Sequence, residues 1–306
     1  MSDQERADPF PLRRGTPADI EACHTLLWET VTDLGRRQAT PLEGTADEWW
    51  QSGEPFQRFL AAHAAEWWVS EDAETGQLIG YARSIERGAL FELTEFFVRP
   101  GDQSRGLGKA LLERAFARGR GVIRTIIATG SPSALARYYR ADTVVRFPIL
   151  TLARVPEAVE TGDRLTAEPL PRDAGSVATI GRIERVVLGV ERTEAEAMLL
   201  LEQREAWRYL RGGVVAGYAF VGARGTGPIA ALDPAVMPDI LRHVETRAAA
   251  LGVERLELEV PSPNAEAIRH LLGRGFRIDP WINYLMSNVP FGQFDRFIGF
   301  SPPLFL

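Results

Sequence analysis

The sequence predicts two α+β domains in tandem, each with a mostly antiparallel sheet and flanking helices. Three observations favour this. The chain has 306 residues, more than the roughly 250–300 that a single core usually reaches. The order of predicted strands and helices begins again after the polar connector 156–164. The pattern GVIRTIIATGSPSALARYY from Gly121 is also repeated as GVERLELEVPSPNAEAIRH from Gly252. A period of about 130–140 residues is typical of a duplicated domain. We therefore expect a disordered tail (1–9), a first domain (10–155), a linker (156–164) and a second domain (165–306).

The elements of the first domain follow from caps and apolar spacing. Residues 12–14 are a short strand, and Thr16, Pro17 and Asp19 are a typical helix start. Ile20 and Cys23 then begin an apolar stripe at helical spacing, which places Cys23 in the core. Changes of period and turn residues predict the rest: helix 46–62, strands 67–70, 78–85 and 90–98, helix 105–118, strand 122–129, helix 132–140 and strand 144–153.

The second domain repeats this order. Its predicted elements are strand 165–170, helices 173–190 and 193–202, strands 206–210, 214–221 and 229–232, helix 235–251, strand 253–260, helix 264–273 and strand 276–286. The chain ends in an aromatic tail in which Phe291, Phe294, Phe297 and Phe300 lie three apart. Because this segment is too apolar to stay in solvent, we expect it to dock across the two domains or onto a second subunit.

Composition excludes several classes of protein. The net charge of −6 makes a nucleic-acid or membrane-surface partner improbable. No apolar run approaches the ~18 residues that span a bilayer, and no signal segment is visible, so a cytoplasmic protein is expected. The single cysteine, Cys23, permits no internal disulfide and no multi-cysteine metal site, and no metal is predicted. Arginine supplies every basic side chain except Lys109, a bias typical of a GC-rich bacterial genome.

The most informative segment, LTEFFVRPGDQSRGLGKALLERAFARG, covers residues 93–119. A strand ends before Pro100, and a loop containing Gly101, Gly106 and Gly108 opens into an amphipathic helix. Glycines allow close approach of a ligand to backbone N–H groups, and a helix start carries partial positive charge. The loop therefore suits a phosphate, with donors from Gln103, Arg105 and Lys109. It matches neither the P-loop nor the dinucleotide fingerprint.

The loop does match V-x-P followed by Q/R-x-x-G-x-G/A, through Val98, Pro100, Gln103, Gly106 and Gly108. This resembles motif A of the GCN5-related N-acetyltransferase (GNAT) superfamily, in which the loop binds the pyrophosphate of acetyl-CoA. A downstream helix is similar to the family pattern N-x-x-A-x-x-x-Y-x-x-x-G-F. It has Ser131 at the asparagine position, Ala134 at the alanine and Tyr138 at the tyrosine; Asp142 and Thr143 replace the final Gly-Phe.

The resemblance implies a fold of two acyl-CoA N-acyltransferase domains and a set of site residues in the first. Tyr138 would protonate the leaving thiolate, with Tyr139 as the fallback. The acceptor amine would lose its proton to Glu95 as first choice or Glu92 as second, unless it needs no dedicated base. The backbone N–H of Val98 would polarise the thioester carbonyl. The residues expected around acetyl-CoA are Phe96, Phe97, Val98, Gln103, Ser104, Arg105, Gly106, Leu107, Gly108, Lys109 and Ser131.

The second copy departs from the motifs. Leu271 stands where the tyrosine should be, and the loop before its helix has no glycine but carries Asp233 and Asp239, which would repel a pyrophosphate. We expect a degenerate second copy without a cofactor. The predicted activity is acetyl transfer from acetyl-CoA to a primary amine, by direct attack in a ternary complex. The acceptor, a small molecule or a protein, stays open, as does a homodimer. The alternative is a non-catalytic acyl-CoA sensor or scaffold.

Overall fold

The computed structural model describes residues 11–42, 44–103 and 106–300. The chain divides into two compact units. The first holds the residues up to 86 together with 91–124, and the second holds 87–90 together with the residues from 125 onward. The boundaries of these two units in the structure differ from the boundaries of the repeat in the sequence. The predicted domain boundaries, with the linker at 156–164, therefore stay a prediction about where the repeat begins again.

The described residues of the first unit form four strands and three α-helices. Strand order is β1-β2-β3-β4, with antiparallel pairing from β1 through β3. The elements are β1 (Leu12–Arg14), α1 (Ile20–Arg37), α2 (Ala46–Ala62), β2 (Glu66–Glu71), β3 (Leu78–Arg87), β4 (Leu90–Val98) and α3 (Leu107–Ala115). The predicted helix start is confirmed as a 3-10 turn at Pro17–Asp19 that leads into α1. Asp19 closes this turn by accepting from the backbone N–H of Thr16 at 2.7 Å.

A small core lies between α1 and the first strands. Cys23, Leu26, Trp67, Val69 and Tyr81 are all buried in it, so the prediction that Cys23 belongs to the core is confirmed. Burial raises the pKa of the Cys23 thiol to about 12. The thiol is therefore protonated at neutral pH and is not a nucleophile.

The second unit contains five helices and nine strands in two antiparallel sheets. The strand orders are β5-β12-β6-β11 and β13-β10-β9-β8-β7. The elements are β5 (Ile123–Thr129), α4 (Pro132–Arg140), β6 (Val144–Arg154), β7 (Thr166–Pro169), α5 (Ala174–Val187), α6 (Glu194–Gln203), β8 (Glu205–Arg211), β9 (Val214–Val221), β10 (Ile229–Ala231), α7 (Met237–Ala250), β11 (Leu256–Pro261), α8 (Ala265–Gly273), β12 (Arg277–Ser287) and β13 (Phe297–Ile298).

The two copies of the repeat exchange their last long strands. β12, which closes the second copy, lies between β5 and β6 of the first copy. β6, which closes the first copy, pairs with β11 of the second, for example Leu152 opposite Leu258. Leu152 is consequently part of the core formed by α7, α8 and the strands of the second copy. Each copy is thus completed by a strand from the other.

Several element ends differ from the predictions. Helix α3 is shorter than the predicted 105–118, because Gly106 caps it at φ +100° and the helix stops before the left-handed glycines 119 and 121. Helix α5 stops at Val187 rather than 190, because Gly189 has φ +77°. The start of predicted helix 235–251 is a 3-10 turn, Pro234–Val236, before α7. The expected disordered tail, 1–9, lies outside the described residues.

Candidate functional site

The glycine loop connects the end of β4 to α3, as the sequence predicts. Gly106 is the N-cap of α3 with φ +100°, a left-handed conformation that side chains rarely adopt. No side chain caps this helix start. Leu107 and Leu111 are buried and anchor α3 to the unit. The first turn of α3 can therefore offer backbone N–H groups to an anion.

The predicted donors around the loop have different surroundings. Gln103 donates from Nε2 to the carbonyl oxygen of Val98 at 3.1 Å, so it ties the loop to the end of β4. Asp102 accepts from Nε of Arg99 at 2.7 Å. Lys109 lies on the first turn of α3 with its side chain 79% exposed, and its Nζ is 3.8 Å from Oε1 of Glu113. An exposed pair of this kind can be exchanged for a phosphate at low cost. Ser104 and Arg105 lie outside the described residues.

The first-choice carboxylate, Glu95, is buried in a polar cluster of the first unit. Its Oε1 accepts hydrogen bonds from Gln57 Nε2 at 2.8 Å and from the hydroxyl of Tyr81 at 3.1 Å. Its Oε2 lies 3.1 Å from Nη1 of Arg83, and both side chains are almost completely buried. Glu92, the second choice, is also buried. Both remain candidates for the base, and Arg83 holds Glu95 as a paired carboxylate.

Around Glu95, some buried polar atoms make no hydrogen bond within the described chain. They include Nε and Nη2 of Arg83, while Oε2 of Glu95 has only its ion pair with Arg83. Buried polar groups are normally satisfied, so such a group of orphans indicates room for ordered water or for polar atoms of a ligand. Burial lowers the pKa of His24, so its ring is neutral at pH 7 and packs edge-on against Trp50 at 5.2 Å.

Tyr138 and Ser131 belong to the second unit, on α4. Tyr138 is buried, and burial raises the pKa of its hydroxyl well above the usual range. The phenol is therefore always protonated at neutral pH and can donate a hydrogen bond. Ser131 is the N-cap residue of α4, and its hydroxyl lies 3.2 Å from that of Ser133. Tyr139, the fallback, is half-exposed.

The departure of this helix from the family pattern has a structural explanation. Asp142 occupies the family's glycine position and has φ +63°, and Gly275 has φ +86° at the matching position of the second copy. Both helices thus end in a left-handed residue, which aspartate tolerates better than most side chains. Thr143 then donates its hydroxyl to the carbonyl oxygen of Tyr138 at 2.8 Å. The end of α4 is preserved without the glycine.

The exchanged strand β12 places side chains of the second copy beside the end of β5. Asn283 is directly opposite Thr129, two residues before the N-cap of α4. The Oδ1 atom of Asn283 accepts from Nε1 of Trp281 at 3.1 Å. On β11, Glu259 accepts a 3.3 Å hydrogen bond from Thr151, and burial raises its pKa to about 7. Residues of the second copy therefore border the end of β5 in the first copy.

In the second copy, the chain's own tail fills the gap between β10 and β11. β13 pairs with β10, with Ile298 opposite Ile229. Gly299 donates its N–H to the carbonyl oxygen of Glu259 on β11 at 3.0 Å. Phe297 is fully buried there. The described part of the tail therefore packs on the second copy and occupies the edges of both strands, whereas the prediction was docking across the two domains or onto a second subunit. Residues 301–306 lie outside the described chain.

The sequence analysis missed Gln57, Tyr81, Arg83 and His24. A second internal match could have found Tyr81, since Gly-Tyr-Ala occurs at 80–82 and again at 217–219. In the structure each tyrosine donates to a buried carboxylate, Tyr81 to Glu95 and Tyr218 to Glu184 at 2.8 Å. Nothing in the sequence pairs Arg83 with Glu95.

The described residues contain neither a helix that could cross a membrane nor a cluster of side chains that could hold a metal ion. No helix in 11–42, 44–103 or 106–300 is both long and apolar enough to cross a membrane. The same part of the chain contains no cluster of three or more histidine, cysteine or acidic side chains that could hold a metal ion.

Known proteins match part of the chain by family and nearly all of it by fold. Residues 22–141 match the model of the acetyltransferase (GNAT) family. A search of curated proteins finds no match. Among solved structures, a Pyrococcus horikoshii protein named as an acetyltransferase superimposes with a TM-score of 0.71 at 16% identity, covering 97% of this chain and 96% of that one.

Two further structures share the fold over nearly the full length. A GCN5-related N-acetyltransferase from Sphaerobacter thermophilus has a TM-score of 0.64 at 18% identity, with 92% of this chain and 96% of that chain covered. A tandem GNAT protein from the clavulanic acid biosynthesis pathway gives 0.58 at 13% identity, with 92% and 99% covered. These structures establish a fold of two tandem GNAT domains. The family match is confined to residues 22–141, and the solved structures show that the whole chain shares their fold.

Proposed function

We propose that the chain is an acetyl-CoA-dependent N-acetyltransferase whose single working site is in the first copy of the repeat. The observation that carries this is the start of α3 in the loop after β4, where the N-cap residue Gly106 has a left-handed conformation and no side chain. It offers backbone N–H groups where the GNAT motif places the pyrophosphate. Lys109, exposed on the same turn, adds the positive charge.

The transfer would proceed by direct attack. The acceptor amine, once deprotonated, adds to the thioester carbonyl carbon, the C–S bond breaks, and the thiolate leaves and takes a proton. Tyr138, protonated at neutral pH because of its burial, supplies that proton or a hydrogen bond to the sulfur. The amine proton passes to Glu95 or Glu92, in a buried polar cluster where Arg83 and Tyr81 hold Glu95 in place.

The second copy has no equivalent site in this proposal. Its tail strand β13 covers the edges of β10 and β11, Leu271 replaces the tyrosine, and Asp233 caps the turn that leads into α7. We also propose a cytoplasmic location, an acceptor that is a small molecule or a protein amine, and no nucleic-acid or membrane partner. A homodimer stays open.

Thiol release from acetyl-CoA, measured against a panel of primary amines, tests the activity. We expect CoA release that requires an amine, and loss of both release and acetyl-CoA binding in Gly106→Asp. Gly119→Asp is the matched control: its φ is +83° and nothing lies within 4 Å of an added Cβ, so it makes the same change beyond the opposite end of α3. Equal activity in both variants would refute the assigned phosphate site. Acetyl-CoA binding without amine-dependent release would support the sensor alternative.

A further inference from the structure

A cavity of about 500 Å³ lies within the second unit, apart from the glycine loop. Its walls are the α5 helix, the segment 189–193, the start of α6 and the hairpin residues 87–89, all in that unit. The volume is in the range of small-molecule sites. Apart from the hairpin residues 87–89, the lining follows residue 141, where the GNAT match ends, and the proposed transfer does not use this cavity.

The floor of the cavity is a buried network of charges. Arg87 binds Glu196 with two hydrogen bonds, at 2.7 and 2.6 Å. Glu184 is paired with Arg192 and accepts from its backbone N–H at 3.0 Å. All four side chains are about 98% buried or more. Buried ion pairs seldom add stability over apolar side chains of the same volume, so a network of this kind is better explained by a function than by folding.

The walls of the cavity are apolar, whereas its rim is charged. Ile180, Val190 and Ala197 give the walls an apolar surface. At the rim, Arg185 pairs with Glu191, and these side chains are 52% and 43% exposed. An exposed ion pair of this kind contributes little and can be exchanged for a ligand at low cost.

The charges that line the cavity are balanced. Three guanidinium groups and three carboxylates line it: Arg87, Arg185 and Arg192 with Glu184, Glu191 and Glu194. A simple anion or cation would meet as much repulsion as attraction in such a site. A zwitterion can align its carboxylate with a guanidinium and its ammonium with a carboxylate, while an apolar side chain contacts the walls.

We propose that this cavity is a binding site for a small zwitterion with an apolar side chain, that is, a free α-amino acid of the leucine or valine type. The repeat supports a retained polar centre in this place. In the first copy Tyr81 donates to the buried Glu95, and in the second Tyr218 donates to Glu184 at the floor of the cavity. The second copy thus keeps a tyrosine–carboxylate centre although its loop has no glycine. The proposal does not depend on the proposed acetyl transfer.

The test measures binding by the full chain, first by thermal shift with the twenty standard amino acids at 10 mM and then by calorimetry. At ten times its Kd, a bound ligand is expected to raise Tm by about 2–4 °C. We expect leucine or valine to bind. Leucinamide, which lacks the carboxylate, and 4-methylpentanoate, which lacks the ammonium, should bind at least tenfold more weakly.

Two tryptophan variants locate the site. Ala178 is exposed on α5 and lines the cavity, whereas Ala195 is exposed on α6 outside the lining. Ala178→Trp should abolish amino-acid binding and Ala195→Trp should leave the Kd within twofold of the parent. The proposal is overturned if no amino acid shifts Tm, if leucinamide or 4-methylpentanoate binds as tightly as leucine, or if both variants bind equally. Acetyl-CoA titration of the same samples reports separately on the first copy.

Discussion

Glu259 provides a quantitative test, because its carboxyl group is buried on β11 with little compensation. Thr151 donates one 3.3 Å hydrogen bond to Oε1, and a hydrogen bond from Asn283 also lowers the pKa, but burial is the larger effect. Burial, together with the nearby carboxylates Glu257 and Asp279, raises the pKa from 4.5 to about 7. Keeping the proton is therefore favoured in the folded state by roughly 3 kcal/mol.

The sign of the effect on stability follows from the raised pKa. The unfolded chain loses this proton near pH 4.5, whereas the folded chain keeps it up to about pH 7. The contribution of the protonated carboxyl group to the free energy of unfolding is fully present below pH 4.5. It is lost progressively as the pH rises to about 7. Glu259→Gln removes the titration. We expect the free energy of unfolding of this variant, relative to the parent, to improve by roughly 2–3 kcal/mol between pH 5 and pH 8.

Urea unfolding at pH 5, 6, 7 and 8, followed by circular dichroism, measures this difference. The matched control is Glu266→Gln, which changes an exposed carboxylate on α8 that is paired with Arg269 and is not among the charges that act on Glu259. Its difference from the parent should vary by less than about 0.5 kcal/mol over the same range. A Glu259→Gln difference that is flat with pH, or that matches the control, would refute the assignment of a protonated buried carboxyl.

Three further predictions concern other sites. Tyr138→Phe should lower kcat tenfold or more and leave the Kd for acetyl-CoA unchanged, whereas Tyr139→Phe should leave both unchanged. Steady-state kinetics and calorimetry measure the two constants, and an unaltered kcat in Tyr138→Phe would disprove the role of Tyr138. Arg83→Met should cost about 3–5 kcal/mol in urea unfolding because Glu95 then lacks its buried partner, and adding Glu95→Gln should recover more than half; no recovery would contradict the pairing. Phe297→Ala should cost about 3–5 kcal/mol, and a loss below 1 kcal/mol would show that the tail strand does not hold the second copy's sheet.

Local elements were predictable because short-range signals decide them. Thr45 accepts a hydrogen bond from the backbone N–H of Glu48 and caps a helix that lies where the sequence predicts it. The same holds for the helix start at Thr16 and Pro17. The ends that differed are set by single left-handed residues such as Gly189. The sequence shows where each glycine lies but does not fix its φ angle. The ends of helices and strands are therefore harder to predict than their existence.

The strand exchange could not be predicted. β6 and β12 follow equivalent helices and have similar apolar patterns, so a sequence cannot decide whether each pairs within its own copy or with the other. The consequence for the site is specific. Asn283 is distant from Thr129 in the sequence but directly opposite it in the sheet. The burial of Glu95 beside Arg83 was hidden for the same reason, because it depends on how neighbouring strands pair.

The central claim, one working cofactor site in the first copy, is tested most directly by calorimetric titration of the chain with acetyl-CoA. The account predicts one site per chain, because the α3 start is open at Gly106 and β13 closes the second copy. A stoichiometry of two would contradict the closed second copy. The absence of binding would contradict the phosphate loop itself.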